Sequence, residues 1–393
     1  MKRWGSLVIV VLVISLGVLG SGCLGGNTGG GGGGGTTGNV KIGVILPLTG
    51  SLNSIAEVIK EGIDLAASDI NAAGGINGKT VSLIYKDDRL DGPTGTQVYQ
   101  ELIGEKVKGI VGPIPSTITL QVINANEQKS ESSRVVIVSP ASTATELSGK
   151  SQYFFRTVPS DAIQGPDAAN VMVNTLQKKI GLLYQNDIYG NGLREEFKAK
   201  LATLGGEIVA EEAFQIGQTS FGAQTNKIIS ANPEAVFIPG FYMEISLAIK
   251  ELRSQGYTGV IVASEAIENR DIFQIGGSAL NDILFMKASV ESTRPTYAKF
   301  LENYSKKYGG KPGAYADYGY DALLVIVETL RAKGISASSA EIKDYMHQTT
   351  FTTTVTRDIR FDSNGDLIGG GYALYKIKCN DASCTSGEFV PYG

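Results

Sequence analysis

Short apolar runs alternate with longer stretches of helical periodicity along most of the chain. The first run is KIGVIL at 41–46, and it precedes a predicted helix whose apolar face includes Ile55, Ile59 and Ile63. The glycines of AAGGING predict the end of that helix. Later runs such as VVIV, KIGLLY and GVIVAS have continuously apolar centres of Val, Ile or Leu, which is typical of strands buried on both faces of a parallel sheet. The pattern therefore predicts an α/β fold.

The alternation is too long for a single core. Roughly 350 residues follow this pattern, which is more than one hydrophobic core usually holds. A first series of strands and helices ends near FRTVPSDA at 155–162, and a second begins before KKIGLLY at 178–184. We therefore expect two Rossmann-like lobes with parallel-sheet cores.

The N-terminus has the features of an export signal. Lys2 and Arg3 precede an apolar run that is too short to span a membrane, and the run leads to Cys23. A cysteine in this place resembles the lipidation site of lipoproteins, so we expect a signal peptide at 1–22 and a lipid anchor at Cys23. A plain cleaved signal and an uncleaved N-terminal anchor are the alternatives. All three export the chain and leave it near the membrane, and the lipid anchor would hold it at the outer face of the cell membrane.

The Gly-rich segment at 23–38 is expected to be a flexible linker between the anchor and the folded domain. Two further cysteines, Cys379 and Cys384, lie close together near the C-terminus. In an exported protein this spacing predicts a disulfide. A metal site is the alternative, but it would need two more ligands, and none is obvious nearby.

Composition argues against several functions. The net charge is −4, which gives no global basic field to attract nucleic acid. His347 is the single histidine, and no nucleophile–base pair or metal-ligand spacing is apparent. We therefore predict a protein that is not an enzyme and needs no cofactor.

Polar residues follow the ends of several predicted strands. Ser116 comes after GIVG, Thr143 after VVIV and Tyr189 after LLY, while Glu244 and Glu265 follow the next two strands. Ligands of open parallel sheets bind at the carboxyl ends of strands. Hydroxyls and helix starts attract a carboxylate, and a Glu on the opposite lobe could pair with an ammonium group. The alternative is that these residues only cap the helices that follow.

The chain resembles the leucine/isoleucine/valine-binding protein family, the extracytoplasmic receptors of branched-chain amino acid ABC transporters. The stretches that carry the resemblance are IGVILPLTGSL, LAASDINAAGGINGKTVSLIYKDD, SPASTATEL, FFRTVPSDAIQG, YQNDIYGNGLREEFKAKLATLGGEIVAEEAF, NPEAVFIPGFYMEI and YGYDALLVIVETL. The family has the type I periplasmic binding protein fold, in which three hinge crossovers join two lobes. The resemblance implies crossovers near Pro159, Ile267 and Gly369.

These crossovers divide the chain into two discontinuous lobes. Lobe 1 would comprise 39–159 and 268–369, and lobe 2 would comprise 160–267 and 370–393.

The resemblance also implies a ligand site shared by the two lobes. Ser116 would contact the ligand carboxylate, Ala141 would supply a backbone carbonyl, and Thr143 would supply a hydroxyl. Glu244 would hold the ammonium group. Together with Glu265, which follows its strand in the same way, the expected ligand-binding residues are Ser116, Ala141, Thr143, Asp161, Tyr189, Glu244 and Glu265.

These residues predict a receptor that acts as a monomer, captures an amino acid between its lobes and delivers it to the permease subunits of an ABC importer. A branched-chain or aliphatic amino acid is the expected ligand. Ile55 and Ala56 stand where relatives often have an aromatic or small residue followed by Gly, so the pocket differs there. An amide, urea or aromatic acid as ligand, or a sensory module of the same fold, are the alternatives.

Overall fold

The computed structural model describes residues 38–176 and 178–392. The expected signal peptide at 1–22, all but the last residue of the expected linker at 23–38, and the lipidation of Cys23 lie outside these residues. Within the described part of the chain, no helix is both long enough and apolar enough to cross a membrane.

Strands and helices alternate through the described residues, as the hydrophobic pattern predicted. The strands are β1 (Val40–Leu46), β2 (Val81–Asp87), β3 (Ile110–Val111), β4 (Ile137–Ser139), β5 (Phe154–Arg156), β6 (Lys179–Gln185), β7 (Glu207–Phe214), β8 (Ala235–Ile238), β9 (Val260–Ala263), β10 (Leu284–Ala288), β11 (Tyr372–Cys379) and β12 (Gly387–Pro391). The helices are α1 (Asn53–Ala72), α2 (Gly92–Gly104), α3 (Ser116–Glu127), α4 (Asp161–Val171), α5 (Ile188–Thr203), α6 (Gly222–Ser230), α7 (Tyr242–Ser254), α8 (Ile272–Gly276), α9 (Pro295–Tyr308), α10 (Ala316–Lys333) and α11 (Ser339–Gln348).

The first sheet has five parallel strands in the order β2-β1-β3-β4-β5. β1 lies inside this sheet, and six of its seven residues are buried. This burial explains why its sequence is almost continuously apolar, since helices cover both faces of a parallel sheet. The carboxyl ends of β1, β3 and β4 lead into the loops that carry the polar residues of interest.

The second sheet has seven strands in the order β12-β11-β10-β9-β8-β6-β7. Its strands from β6 to β10 pair in parallel, while β11 and β12 form an antiparallel hairpin at one edge. A disulfide joins Cys379 to Cys384 at the turn of this hairpin. The two sheets form the cores of two lobes, which confirms the predicted α/β two-lobed fold.

One predicted boundary is wrong. We expected the chain to return to lobe 1 near Ile267, with all of 268–369 in that lobe. Instead, β10 at 284–288 pairs with β9 and β11 in the second sheet. The backbone of the mostly apolar sequence LFMKA pairs with β9 and β11 there. The chain therefore leaves the second sheet only after Ala288. The rest of the division into lobes remains our proposal.

The tightest helix contact of lobe 1 is between α1 and α10. A Cβ atom placed on Gly62 in α1 would lie 1.8 Å from the carbonyl oxygen of Ala316, the first residue of α10. The preceding residue, Tyr315, is held in the left-handed region with φ of 67°. Because Gly62 has no side chain, the start of α10 can lie directly against α1. In this position the preceding residue, Tyr315, reaches the space between the lobes.

We predict that Gly62→Ala lowers the free energy of unfolding by about 1–3 kcal/mol, because the two helices must separate to admit the methyl group. The measurement is urea unfolding followed by circular dichroism. Gly104→Ala is the matched control, since Gly104 ends α2 and a Cβ atom placed there would have no neighbour within 4 Å. This substitution should not lower the free energy of unfolding, and it can raise it by up to about 1 kcal/mol. Equal effects of the two substitutions would contradict the close-contact account.

Candidate ligand-binding site

A small, mostly apolar cavity lies between the two lobes. It contains about 390 Å³ of space not filled by protein atoms, part of it open to solvent. Its wall is formed by residues of both lobes: Leu52, Ile55, Ile114, Pro115, Ser116, Ala141, Tyr189, Phe241, Glu265, Ala266 and Tyr315.

The lobe 1 wall includes the start of α3. Ser116 is the first residue of this helix, and it is buried against the cavity. The positive end of the helix dipole therefore faces the cavity together with a hydroxyl group. Behind this wall, the hydroxyl of Ser139 donates to the carbonyl of Pro113 at 2.6 Å. That bond ties the loop before α3 to the end of β4.

The loop after β4 is fixed from beneath by Arg156. This side chain is fully buried, and its Nε donates to the Asp366 carboxylate at 2.7 Å. Its Nη1 donates to the Ala144 carbonyl at 3.0 Å. A charge-assisted pair of this kind holds the loop in one conformation. The loop can then present Ala141 at the cavity surface.

The lobe 2 wall contains two stacked aromatic rings and a carboxyl group. Tyr189 lies in the first turn of α5, and its ring stacks on Phe241 with centroids 5.6 Å apart. The Tyr189 hydroxyl is 3.1 Å from each carboxyl oxygen of Glu265. Glu265 itself follows β9 in a short helical turn. The aromatic pair thus forms one side of the cavity, and the hydroxyl of Tyr189 holds the carboxyl group beside it.

Glu265 has an unusual electrostatic environment. Burial raises the pKa of its carboxyl group to about 7, although the hydrogen bonds that this group receives act to lower it. Its partners are the hydroxyls of Tyr189 and Tyr315 and the amide of Gln164. None of these is a cation. The carboxyl group can therefore accept a proton or a positively charged group from the cavity.

A second buried carboxyl group stands behind Glu265. Asp161, the first residue of α4, accepts hydrogen bonds from Thr143 and Gln164, both at 2.9 Å. Burial raises the pKa of Asp161, and the neighbouring Glu265 raises it further. The junction between the lobes therefore contains two carboxyl groups that disfavour each other's ionisation.

The structure brings most of the expected residues together. Ser116, Ala141, Tyr189 and Glu265 line the cavity. Thr143 and Asp161 are buried directly behind it, bonded to each other.

Glu244 is the exception, because it is not part of the cavity wall. It lies in the first turn of α7, and its Oε1 accepts the backbone N–H of Gly217 at 2.7 Å. The expectation that Glu244 holds an ammonium group in the cavity is therefore corrected. Glu265 is the glutamate that lines the cavity.

Several wall residues were missed in the sequence. Phe241 lies three residues before Glu244, in the stretch FYMEI that follows a predicted strand, so a local signal existed. Tyr315 gave no such signal, because it reaches the cavity only through a left-handed backbone and the packing of α10. Leu52 and Ile114 are ordinary apolar positions, and only the tertiary arrangement makes them part of a wall.

The family model of the periplasmic binding proteins matches residues 39–383. The chain belongs to the periplasmic binding protein family. This periplasmic binding protein is 28% identical over 340 residues to the Leu/Ile/Val-binding protein homolog 2 of Brucella abortus (strain 2308), covering 86% of this chain and 90% of that protein. It is 25% identical over 339 residues to the leucine-, isoleucine-, valine-, threonine- and alanine-binding protein of Pseudomonas aeruginosa, with 86% and 89% covered.

Solved structures are similar over the same extent. The crystal structure of a leucine-binding protein from Thermotoga maritima has 29% sequence identity and a TM-score of 0.81, with 89% of this chain and 97% of that chain covered. An isoleucine complex of a branched-chain amino acid transporter substrate-binding protein from Streptococcus pneumoniae has 26% identity and a TM-score of 0.78, with 90% and 100% covered.

These matches confirm the family resemblance and the type I fold. They also show that the protein is extracytoplasmic and that its family binds solutes and does not catalyse reactions. The lipid anchor remains a prediction.

The buried carboxyl group of Glu265 should lower the free energy of unfolding of the ligand-free protein in a pH-dependent way. Its folded pKa of about 7 lies above the usual Glu value of about 4.3, so between these pH values the folded state holds a proton that the unfolded chain has lost. Stability from this group therefore falls as pH rises from about 5 to about 8. We predict that Glu265→Gln, which removes the titration, is more stable than the unsubstituted protein by about 1–3 kcal/mol at pH 8.

The check is urea unfolding of both ligand-free proteins at pH 5 and pH 8. The advantage of the Gln variant should shrink toward zero at pH 5. An advantage of the same size at both pH values would contradict the raised pKa.

Proposed function

We propose that this protein is the solute-binding receptor of an ABC importer for an aliphatic amino acid, which it encloses by closure of the two lobes. The observation that carries the proposal is the pairing, in one cavity, of Ser116 at a helix N-terminus with the buried carboxyl group of Glu265.

An α-amino acid has complementary ends for these two groups. Its carboxylate suits the hydroxyl and the positive helix end at Ser116. Its ammonium group suits Glu265, whose hydrogen-bond partners among the described residues are uncharged. A buried ion pair of this kind becomes favourable when further hydrogen bonds surround it. Tyr189 and Tyr315 provide such bonds at Glu265.

The remaining wall favours an aliphatic side chain. Leu52, Ile55 and Ile114 contribute branched apolar groups from lobe 1, and Phe241 and Ala266 contribute apolar surface from lobe 2. A polar ligand side chain would lose its water without gaining partners on this surface. The relatives named for leucine, isoleucine and valine support the same class of ligand.

Delivery to a membrane transporter is consistent with the N-terminal sequence. The anchor expected at Cys23 and the Gly-rich linker at 23–38 would keep a monomeric receptor near permease subunits. The similar Streptococcus pneumoniae protein, a transporter substrate-binding protein, supports this role. A sensory module would use the same closure without transport.

Calorimetric titration of the purified protein, stripped of copurified ligand, tests the proposal. We expect one-to-one binding of leucine, isoleucine or valine in preference to charged amino acids, urea, short amides and benzoate. An apolar, zwitterion-binding cavity gives this order. Binding of only an amide, urea or an aromatic acid would overturn the amino-acid assignment.

A pair of Glu→Gln substitutions tests the assignment of the ammonium site. Glu265→Gln should weaken amino-acid binding by ~30-fold or more, because truncating a buried charge pair costs about 2 kcal/mol or more. Glu244→Gln is the matched control, since Glu244 is also buried in lobe 2 but lies outside the cavity wall. The same titration should give nearly unchanged affinity for it. The reverse ranking would restore Glu244 as the ammonium partner.

A further inference from the structure

We propose that Tyr242 is a positioning residue for ligand binding, and that its hydroxyl holds the lobes closed through a latch formed by Ser51, Ser54, Tyr242 and Asn269. None of the four lines the ligand cavity. This inference rests on the proposed function and adds a determinant of affinity that does not touch the ligand.

The latch is a short chain of hydrogen bonds between the lobes. The Tyr242 hydroxyl, from lobe 2, donates to the backbone carbonyl of Ser51 at 2.8 Å. In return, the Ser54 hydroxyl, from the first turn of α1, donates to the Tyr242 oxygen at 3.0 Å. The Asn269 side chain, which precedes β10 on the lobe 2 side, donates to the Ser54 oxygen at 2.9 Å.

Two of the four latch residues are buried in this arrangement, and Ser51 and Ser54 are half-buried. Tyr242 is 3% exposed and Asn269 is 8% exposed. Water therefore competes little for these hydrogen bonds while the lobes are together, whereas opening the lobes separates the donors from their acceptors. The latch is a property of the closed state.

Three of the latch residues are chain neighbours of cavity-wall residues. Ser51 precedes Leu52 and Ser54 precedes Ile55 on the lobe 1 side. On the lobe 2 side, Tyr242 follows Phe241. Formation of the latch thus fixes the relative positions of the walls that enclose the ligand side chain. It can do so for any ligand that fits, because it makes no contact with the side chain itself.

This placement gives a distinctive kinetic effect. Ligand enters the open protein, in which the latch is already broken, whereas the latch must break before ligand leaves. Removing one hydroxyl should therefore speed dissociation, and it should not slow association. A residue that contacts the ligand side chain would instead change the ratio of affinities among ligands.

The test is Tyr242→Phe, which keeps the ring and deletes the hydroxyl. We expect the dissociation rate of radiolabelled leucine, isoleucine and valine to rise by about tenfold, by the same factor for each, with association rates that do not fall. Ser54→Ala should have a smaller effect, and the double variant should lose less than the product of the two factors.

Tyr257→Phe is the matched control. Tyr257 is also a buried tyrosine of lobe 2, but its hydroxyl contacts the carbonyls of Pro233 and Val260 within that lobe. It should leave the dissociation rate unchanged. Equal dissociation rates in Tyr242→Phe and in this control would overturn the latch, and so would a factor that differs among the three ligands.

Failure of the latch and failure of the proposed function can be told apart. If the unsubstituted protein binds none of the three amino acids, the proposed function fails. The latch is then judged by hydrogen exchange of the ligand-free protein at the first turns of α1 and α7. Faster exchange at both turns in Tyr242→Phe supports the latch, and unchanged exchange overturns it.

Discussion

The carboxyl groups of Asp161 and Glu265 lie in the junction between the lobes, where burial raises the pKa of both. Their direct partners in the described part of the chain are hydroxyl and amide groups. The cation of Arg156 lowers the pKa of Asp161, but burial outweighs this effect, so the ligand-free junction favours protonated carboxyl groups. A ligand ammonium group would replace that proton at Glu265. Fold stability and ligand affinity are thus opposed at this residue, as is common where a site is built for binding.

The half of the site on lobe 1 is held rigid by contacts that lie away from the cavity. Arg156 fixes the loop after β4 through Asp366 and backbone carbonyls, and Gly62 allows the contact that sets the start of α10. Arg156 and Gly62 both determine where the backbone lies. Ala141 and the left-handed residue Tyr315 can therefore line the cavity. The lobe 2 half depends more on side chains, with Tyr189 stacked on Phe241 and bonded to Glu265. The cavity thus lies between a surface fixed by backbone contacts and one formed by aromatic and carboxyl side chains.

Hydrophobic periodicity was sufficient to predict the two-lobed α/β fold, because continuous Val and Ile runs are a direct consequence of double-sided burial. Placement at strand ends was sufficient to find Ser116, Tyr189 and Glu265, since the carboxyl ends of parallel strands meet at one edge. The role of Glu244 could not be judged in this way, because it also follows a strand. Whether such a residue faces the cavity or a neighbouring loop depends on the turn before its helix. The second crossover, which returns the chain to lobe 1, was misplaced for a similar reason, as the sheet that β10 joins is set by long-range pairing.

Under the proposed function, different groups of residues determine the affinity for the ligand and the selectivity among ligands. The groups at Ser116 and Glu265 address the two ends that every α-amino acid has, and the latch addresses no part of the ligand. Discrimination among ligands is left to the apolar wall, to which Ile55 and Phe241 contribute from opposite lobes. One methylene in such a wall is worth only about 1–3 kcal/mol, so a receptor of this design distinguishes related aliphatic amino acids modestly. It rejects charged side chains far more strongly, because the apolar wall offers them no partner and their desolvation would go uncompensated.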